Sequence, residues 1–152
     1  METMNTALVL LLKALATLRE AFDVFLEIQK LGNLKFILAA EDSMVQRFEY
    51  THEAFWKFLK RYLEKIYNLE AVNSPRSVFR ACFKVGLCSE AETDLLLMML
   101  DKRNQTTHIY DSILVHKILP EVPMYYDCMK KIAERVKADL ENRKQLSKYQ
   151  VK

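Results

Sequence analysis

The sequence predicts an all-α fold, an antiparallel up-and-down four-helix bundle with one or two additional short helices. Only two glycines and three prolines occur in 152 residues, and such a scarcity of turn residues favours long helices joined by few loops. Apolar residues recur at intervals of three and four along most of the chain, which is the spacing of one helical face. Serines and asparagines stand at several points where these stretches begin or end, as helix caps do.

The first predicted helix runs from residue 5 or 6 to about residue 30, and Gly32-Asn33 supplies its end. Its expected apolar face consists of Leu8, Leu11, Leu12, Leu15, Leu18, Phe22, Phe25, Leu26 and Leu31.

A second long helix, rich in aromatic residues, is expected to end near Asn68. The apolar stretch 34–40 is predicted to form a separate turn of helix, with Asp42 or Ser43 capping the long helix that follows. Large rings at helical spacing are typical of a bundle core rather than of a ligand platform. His52 has no histidine or cysteine at metal-ligand spacing beside it, so it is interpreted as structural or merely exposed.

Two further helices have clear start signals. Ser74-Pro75 opens a short helix, because serine caps free amides and proline fits the first turn. Gly86 ends that helix. Ser89 and Glu92 have capping-box spacing and open the next one.

That next helix contains an unbroken apolar run, residues 95–100, which covers every side of a helix. Such an element must be buried all round, either in the centre of the bundle or with its second face against another subunit. In so short a chain the second arrangement is favoured, and it predicts a homodimer.

The carboxyl-terminal part is predicted to hold a short helix from Asp111 to about Leu119, then a long one opened by Pro120 and Pro123. The stripe of the long helix consists of Met124, Cys128, Ile132, Val136 and Leu140. The chain is expected to form one domain over residues 1–152, with a frayed basic tail over about 141–152.

The charge and the cysteines of the chain limit the kinds of function that it can have. The formal net charge is only +3, which does not suit a general polyanion binder. Residues 130–152 nevertheless carry eight basic and three acidic side chains, either as a solvated face or as a contact for RNA or an acidic partner. The three cysteines lack metal-finger spacing and suggest free structural thiols in a reducing compartment. No apolar stretch is long enough for a membrane span, so a soluble cytoplasmic protein is expected.

One segment, residues 103–110, contains several side chains that could bind a substrate or take part in catalysis. Arg103 can hold a phosphate and His108 can transfer protons near neutral pH, while Asn104 and Thr107 can hydrogen-bond phosphate or ribose. With RNA as substrate the 2′-hydroxyl supplies the nucleophile. No metal or other cofactor is predicted, because no carboxylate-rich or Cys/His cluster accompanies the segment.

Helical geometry complicates this candidate site. Arg103 and His108 are five residues apart, so on an ideal helix their side chains point about 140° from each other. Three solutions are open: the helix loosens at its β-branched end, Arg103 reaches round on its long stem, or a dimer axis gathers both residues of two subunits into one cleft.

Several blocks of the sequence occur in a characteristic order within about residues 5–140: Gln46-Arg47-Phe48-Glu49-Tyr50-Thr51, Trp56-Lys57, Ser74-Pro75-Arg76, Phe83-Lys84-Val85-Gly86-Leu87, Arg103-Asn104 and Thr107-His108-Ile109-Tyr110. In these blocks the chain resembles the HEPN superfamily, in its branch of nucleotidyltransferase substrate-binding proteins, which includes HepT-like toxins. Relatives in this branch tend to have an aromatic residue where this chain has His52.

The resemblance implies a homodimeric helical bundle that works beside a minimal nucleotidyltransferase. Many HEPN proteins are metal-independent endoribonucleases whose signature is an Arg followed a few residues later by a His, and Arg103 and His108 match it. Related toxin-antitoxin pairs have a Tyr two positions after the His, where the nucleotidyltransferase attaches AMP and silences the toxin. Tyr110 matches that position.

Two functions follow as expectations. The first is a HEPN-type toxin with Arg103 and His108 as catalytic residues, Asn104 and Thr107 as substrate-binding residues and Tyr110 as the modified residue. The alternative is a non-catalytic subunit that binds nucleotide or substrate for a two-component nucleotidyltransferase. For either function we expect RNA or a nucleotide as the ligand and a cognate nucleotidyltransferase as the partner.

Overall fold

The computed structural model describes residues 2–70, 72–108 and 117–150, with the side chains of residues 2, 107, 108 and 150 outside that description. Within these ranges the chain forms helices and no strand. The helices are α1 (Glu2–Leu31), α2 (Leu34–Tyr67), α3 (Pro75–Lys84), α4 (Glu90–His108), a 3-10 turn (Leu119–Glu121) and α5 (Val122–Gln150). The predicted all-α bundle of four main helices with short additional ones is confirmed.

The helices α1 and α2 form a long antiparallel hairpin. Gly32 ends α1 at a φ of +73°, in the left-handed region that favours glycine. The Asn33 side chain then accepts hydrogen bonds from the backbone N–H groups of Lys35 and Phe36, at 3.0 and 3.3 Å, and so caps α2.

The prediction of a separate helical turn over 34–40 was wrong, because α2 runs unbroken from Leu34 to Tyr67. Asp42 and Ser43 therefore lie inside α2 and are not its cap. No glycine or proline occurs between these two ends, and once Asn33 has capped the first turn each further residue adds a helical hydrogen bond. Asn68, at a φ of 56°, closes the helix where the sequence predicted.

The predicted start and end of α3 are confirmed. The Ser74 hydroxyl accepts a hydrogen bond from the backbone N–H of Ser77 at 3.2 Å, and the Ser77 hydroxyl accepts one from the N–H of Ser74 at 3.1 Å. Gly86 ends the helical segment at a φ of +81°. The backbone N–H of Leu87 donates to the carbonyl of Cys82, and its side chain is buried.

The capping box of α4 also forms as predicted. The Ser89 hydroxyl accepts from the backbone N–H of Glu92 at 3.1 Å, while the Glu92 carboxylate accepts from the N–H of Ser89 at 2.9 Å. Arg135 of α5 donates to both Glu92 oxygens and to the carbonyl of Leu87, which fixes the start of α4 against α5.

The core lies between α1, α2, α4 and α5, with α3 packed on α2 and α4. The aromatic interpretation of α2 is confirmed, since Phe48, Phe55 and Tyr62 are each at most 1% exposed. Burying a large side chain of this kind contributes roughly 1.5–3 kcal/mol. Three residues assigned to apolar faces are instead exposed: Leu26, Leu31 and Met124.

Polar contacts, in addition to the apolar stripe, hold helix α5 against the bundle. The Tyr62 hydroxyl donates to Asp139 at 2.6 Å, and Arg143 Nε donates to the same carboxylate oxygen at 2.7 Å. Together these donors lower the pKa of Asp139 although partial burial opposes the shift. The segment after Leu140 continues the helix to Gln150 with its side chains exposed through Tyr149.

All three cysteines, Cys82, Cys88 and Cys128, are buried free thiols. Burial raises the pKa of Cys128 to about 12, so this thiol stays protonated and behaves as a small apolar side chain. In the described part of the chain, no helix is both long and apolar enough to cross a membrane.

Candidate functional site

Helix α4 ends within the segment 103–110, which contains the predicted site residues. The helix is continuous through His108, so its backbone does not loosen before that residue. Arg103 and Asn104 are described with their side chains, whereas Thr107 and His108 are described by their backbone only. Tyr110, like the predicted cap Asp111, lies outside the described residues. The meeting of Arg103 with His108 and the role of Tyr110 therefore stay predictions.

Arg103 lies at the junction of α4 with α2. Its guanidinium Nη2 is 4.0 Å from Glu53 Oε2, and the Arg103 side chain is 26% exposed. A guanidinium in this position has a carboxylate nearby and is still accessible from solvent. It can contribute a positive charge to an anionic ligand such as a phosphate.

Glu53 connects three side chains at this junction. Besides Arg103, it accepts a hydrogen bond from Trp56 Nε1 at 2.9 Å on Oε2 and lies 3.1 Å from Lys57 Nζ through Oε1. Partial burial would raise the pKa of Glu53, but donation from Trp56 and Lys57 and the charges of Lys57 and Arg103 bring it below its usual value. Glu53 is therefore a carboxylate at neutral pH.

A second contact fixes the end of α4 on α2. The Thr106 hydroxyl lies 3.0 Å from Glu49 Oε1 and 2.7 Å from the backbone carbonyl of Arg103. Since the hydroxyl has one proton, it donates to one of these oxygens at a time. Glu49 and Glu53 are one helical turn apart on α2, so they hold two successive points of α4.

His52, the residue before Glu53 on α2, is buried within reach of the Arg103 charge. It is 1% exposed, and its ring meets Phe79 of α3 edge-on, with centroids 6.0 Å apart. Among the described residues, neither ring nitrogen has a hydrogen-bond partner. Burial, and next the charge of Arg103, lowers the pKa of His52 to about 4, against a weaker raising effect from Glu53. This histidine is neutral in the folded protein at neutral pH.

The buried His52 predicts a loss of stability in acid. Its pKa is 6.5 in the unfolded chain and about 4 in the folded one, so the unfolded state binds more protons as the pH falls from 6.5 towards 4. We expect about 3 kcal/mol of unfolding free energy to be lost across that window. The measurement is urea unfolding at pH 7, 6, 5 and 4 for wild type and His52→Phe.

The phenylalanine variant keeps a ring against Phe79 and has no group to titrate, so its unfolding free energy should fall less steeply between pH 6.5 and 4. Parallel pH profiles for the two proteins would show that His52 is not the source of the acid sensitivity.

Sequence reasoning found the α4 side of this site and missed the α2 side. Glu49, Glu53 and Trp56 recur at helical spacing on α2, but nothing in that spacing indicates that the end of α4 packs against them. His52 was interpreted as structural or exposed, and its burial shows that it is not exposed. The proximity of His52 to Arg103 was not expected.

Comparisons with known proteins agree with this fold. A family model described as nucleotidyltransferase substrate binding protein like matches residues 6–138. A solved structure of a protein from Thermus thermophilus is 38% identical, with 82% of this chain and 97% of that chain covered and a TM-score of 0.70. No curated protein sequence matches.

Two more distant structures share the fold. The protein HI0074 of Haemophilus influenzae, a substrate-binding domain of a nucleotidyltransferase, is 18% identical, with 86% of this chain and 98% of that chain covered and a TM-score of 0.75. The toxin-antitoxin MntA-HpeT, solved with a tyrosine replaced by alanine, is 16% identical, with 84% and 98% covered and a TM-score of 0.62. A toxin-antitoxin structure with AMP-PNP is also similar, at 17% identity, 84% and 96% coverage and a TM-score of 0.62.

Proposed function

Because this chain belongs to the family of nucleotidyltransferase substrate-binding proteins, we propose that it is a HEPN-type toxin, a metal-independent endoribonuclease controlled by a cognate nucleotidyltransferase. The observation that carries the proposal is the placement of Arg103. Its side chain is half-buried at the α2–α4 junction, 4.0 Å from Glu53, on the same unbroken helix as His108. The similarity to a toxin-antitoxin structure supports the same function.

The proposed reaction uses the RNA's own nucleophile. His108 accepts the proton of a ribose 2′-hydroxyl, and the 2′-oxygen forms a bond to the adjacent phosphorus. The bond from phosphorus to the 5′-oxygen breaks, and that oxygen takes a proton from a general acid. The products are a 2′,3′-cyclic phosphate and a 5′-hydroxyl.

In this reaction Arg103 neutralises the charge that develops on the phosphoryl oxygens. Asn104 and Thr107 hydrogen-bond the phosphate or ribose. In a symmetric dimer the His108 residues of the two subunits supply base and acid, so the cleft is complete only with both.

The control of the toxin is proposed to act on Tyr110. The partner nucleotidyltransferase transfers AMP from ATP to the Tyr110 hydroxyl: the phenolic oxygen bonds to the α-phosphorus, and pyrophosphate leaves. The adenylate places a bulky anion two residues from His108, where it blocks RNA by sterics and charge. Similar toxin-antitoxin structures were solved with a tyrosine replaced by alanine and with AMP-PNP.

A second candidate is a non-catalytic subunit that binds nucleotide or substrate for the nucleotidyltransferase. The fold shared with HI0074, a substrate-binding domain of a nucleotidyltransferase, favours it. In that case Arg103 would hold the phosphate of a nucleotide without any cleavage of RNA. For either function we propose a cytoplasmic location, because the three cysteines are free thiols.

Incubation of the purified protein with single-stranded RNA in excess EDTA separates the two candidates. The toxin proposal expects loss of full-length RNA. Intact RNA together with tight binding of a nucleotide would favour the binding subunit.

An exposed apolar side chain on α4 predicts a dimer. The proposed cleft, which needs His108 from both subunits, depends on that dimer. In the apolar run, Leu96, Met99 and Leu100 are buried, whereas Met98 is 48% exposed. We expect a dimer by light scattering at micromolar concentration, and a Kd raised at least tenfold by Met98→Lys, since each subunit would bury a charge in place of an apolar side chain.

Leu38→Lys is the matched control, because Leu38 is 44% exposed on α2 and lies eleven residues before Glu49, where α2 contacts the end of α4. It should leave the dimer unchanged. A monomer at micromolar concentration in the wild type would rule out the composite cleft.

A further inference from the structure

An open groove runs between the amino-terminal part of α1 and the middle of α2, beside the candidate site. Its volume is about 670 Å³, and Thr3, Thr6 and Leu10 line one wall while Tyr50, Lys57 and Arg61 line the other. Glu53 also lines the groove. Because Glu53 also lies 4.0 Å from Arg103, one residue of the groove wall is an ion-pair neighbour of the proposed phosphate-binding arginine.

The groove and the arginine beside it have an excess of positive charge. Lys57 and Arg61 are one helical turn apart on α2 and both side chains are solvent-accessible. Lys57 lies 3.1 Å from Glu53, and Arg61 donates a 3.4 Å hydrogen bond to the backbone carbonyl of Thr3. The groove is therefore lined by two cations, Lys57 and Arg61, and by one carboxylate, Glu53, which has a third cation, Arg103, at 4.0 Å. Such a surface suits an anionic ligand.

The walls also offer an exposed ring. Tyr50 is 58% exposed, and Leu10 opposite it on α1 is 54% exposed. An accessible tyrosine beside basic side chains is the combination by which proteins bind single-stranded nucleic acid, with bases stacked on rings and phosphates held by cations. Tyr50 and Arg61 are eleven residues apart, which is about 16 Å along a helix.

We propose that this groove holds the single-stranded RNA that flanks the scissile phosphate, with Lys57 and Arg61 on backbone phosphates and a base stacked on Tyr50. The inference rests on the proposed ribonuclease function and names a binding surface for its substrate. Glu53 pairs with Lys57 in the groove and lies 4.0 Å from Arg103, so one carboxylate connects the groove to the proposed catalytic arginine.

The test measures binding without cleavage. Fluorescence anisotropy of a labelled single-stranded RNA oligonucleotide is recorded with His108→Ala protein as the parent. The added pair Lys57→Ala/Arg61→Ala is expected to weaken binding about tenfold and to make the slope of log K against log salt shallower by about 1.4, the value for two lost phosphate contacts. Tyr50→Ala is expected to weaken binding about tenfold through lost stacking.

Arg80→Ala/Lys84→Ala is the matched control, because both residues are exposed on α3, outside the groove, and the pair removes the same charge. It should change the affinity less than twofold. Equal weakening by the two pairs would indicate unspecific attraction and overturn the proposal, as would unchanged binding for the groove variants. A groove pair that dissociates the dimer in light scattering would overturn it in favour of a second copy in the groove.

The groove proposal and the ribonuclease proposal can be refuted independently of each other. If the wild type cleaves RNA but the groove variants bind it normally, the groove proposal is wrong and the function stands. If the wild type never cleaves RNA but the groove variants lose binding, the function is wrong and the groove stands.

Discussion

Replacing His108 by alanine is expected to lower the rate of RNA cleavage at least 100-fold and to leave the fold intact. A positioned general acid or base typically contributes a factor of about 10² to 10⁴, and alanine cannot transfer a proton. Arg103→Ala should cause a loss of similar size, because removing one group that stabilises transition-state charge costs about 10² to 10³ in rate. The measurement is the single-turnover cleavage of a labelled RNA, with circular dichroism as the check on folding.

Gln105→Ala is the control for this pair. Gln105 lies between the two catalytic residues and is exposed, and surface substitutions of this kind usually change stability by no more than about 0.5 kcal/mol. Its cleavage rate should equal that of the wild type. Equal cleavage by wild type and His108→Ala would remove the ribonuclease assignment.

Incubation with the cognate nucleotidyltransferase and ATP is expected to add one AMP to the peptide that contains Tyr110 and to abolish RNA cleavage. The added phosphodiester brings a negative charge into a site that must bind RNA phosphates, so both charge and bulk oppose the substrate. Mass spectrometry of the digested protein locates the modification, and the cleavage assay follows the loss of activity in the same sample.

Tyr110→Phe keeps the ring and removes the hydroxyl that would be modified. This variant should remain an active ribonuclease in the presence of the nucleotidyltransferase and ATP. An unmodified Tyr110 peptide, or AMP found on a different residue, would contradict the proposed control of the toxin.

Local sequence signals predicted most helix ends correctly because the groups that form them are neighbours in the chain. Ser74, Gly86, and the pair Ser89 and Glu92 each act within one turn of their own position. The error at Asp42 and Ser43 arose from a cap earlier in the chain. Asn33 already satisfies the first amides of α2, so a possible cap ten residues later has no free amides to bind.

The candidate site was half predictable for a related reason. Arg103 and Asn104 belong to one short segment and could be found from residue type and spacing. Glu53 lies 4.0 Å from Arg103, and the charge of Arg103 acts on His52, across a helix–helix contact. Such contacts depend on how α2 and α4 pack. Periodicity identifies a buried face of each helix without identifying its partner.

The chemical identity of the RNA ends after cleavage in excess EDTA tests the central claim most directly. Attack by the 2′-hydroxyl, with His108 and Arg103 as the acting groups, predicts new 2′,3′-cyclic phosphate and 5′-hydroxyl ends in the wild type and neither in His108→Ala. Intact RNA in EDTA, or products with 5′-phosphate ends, would contradict the account.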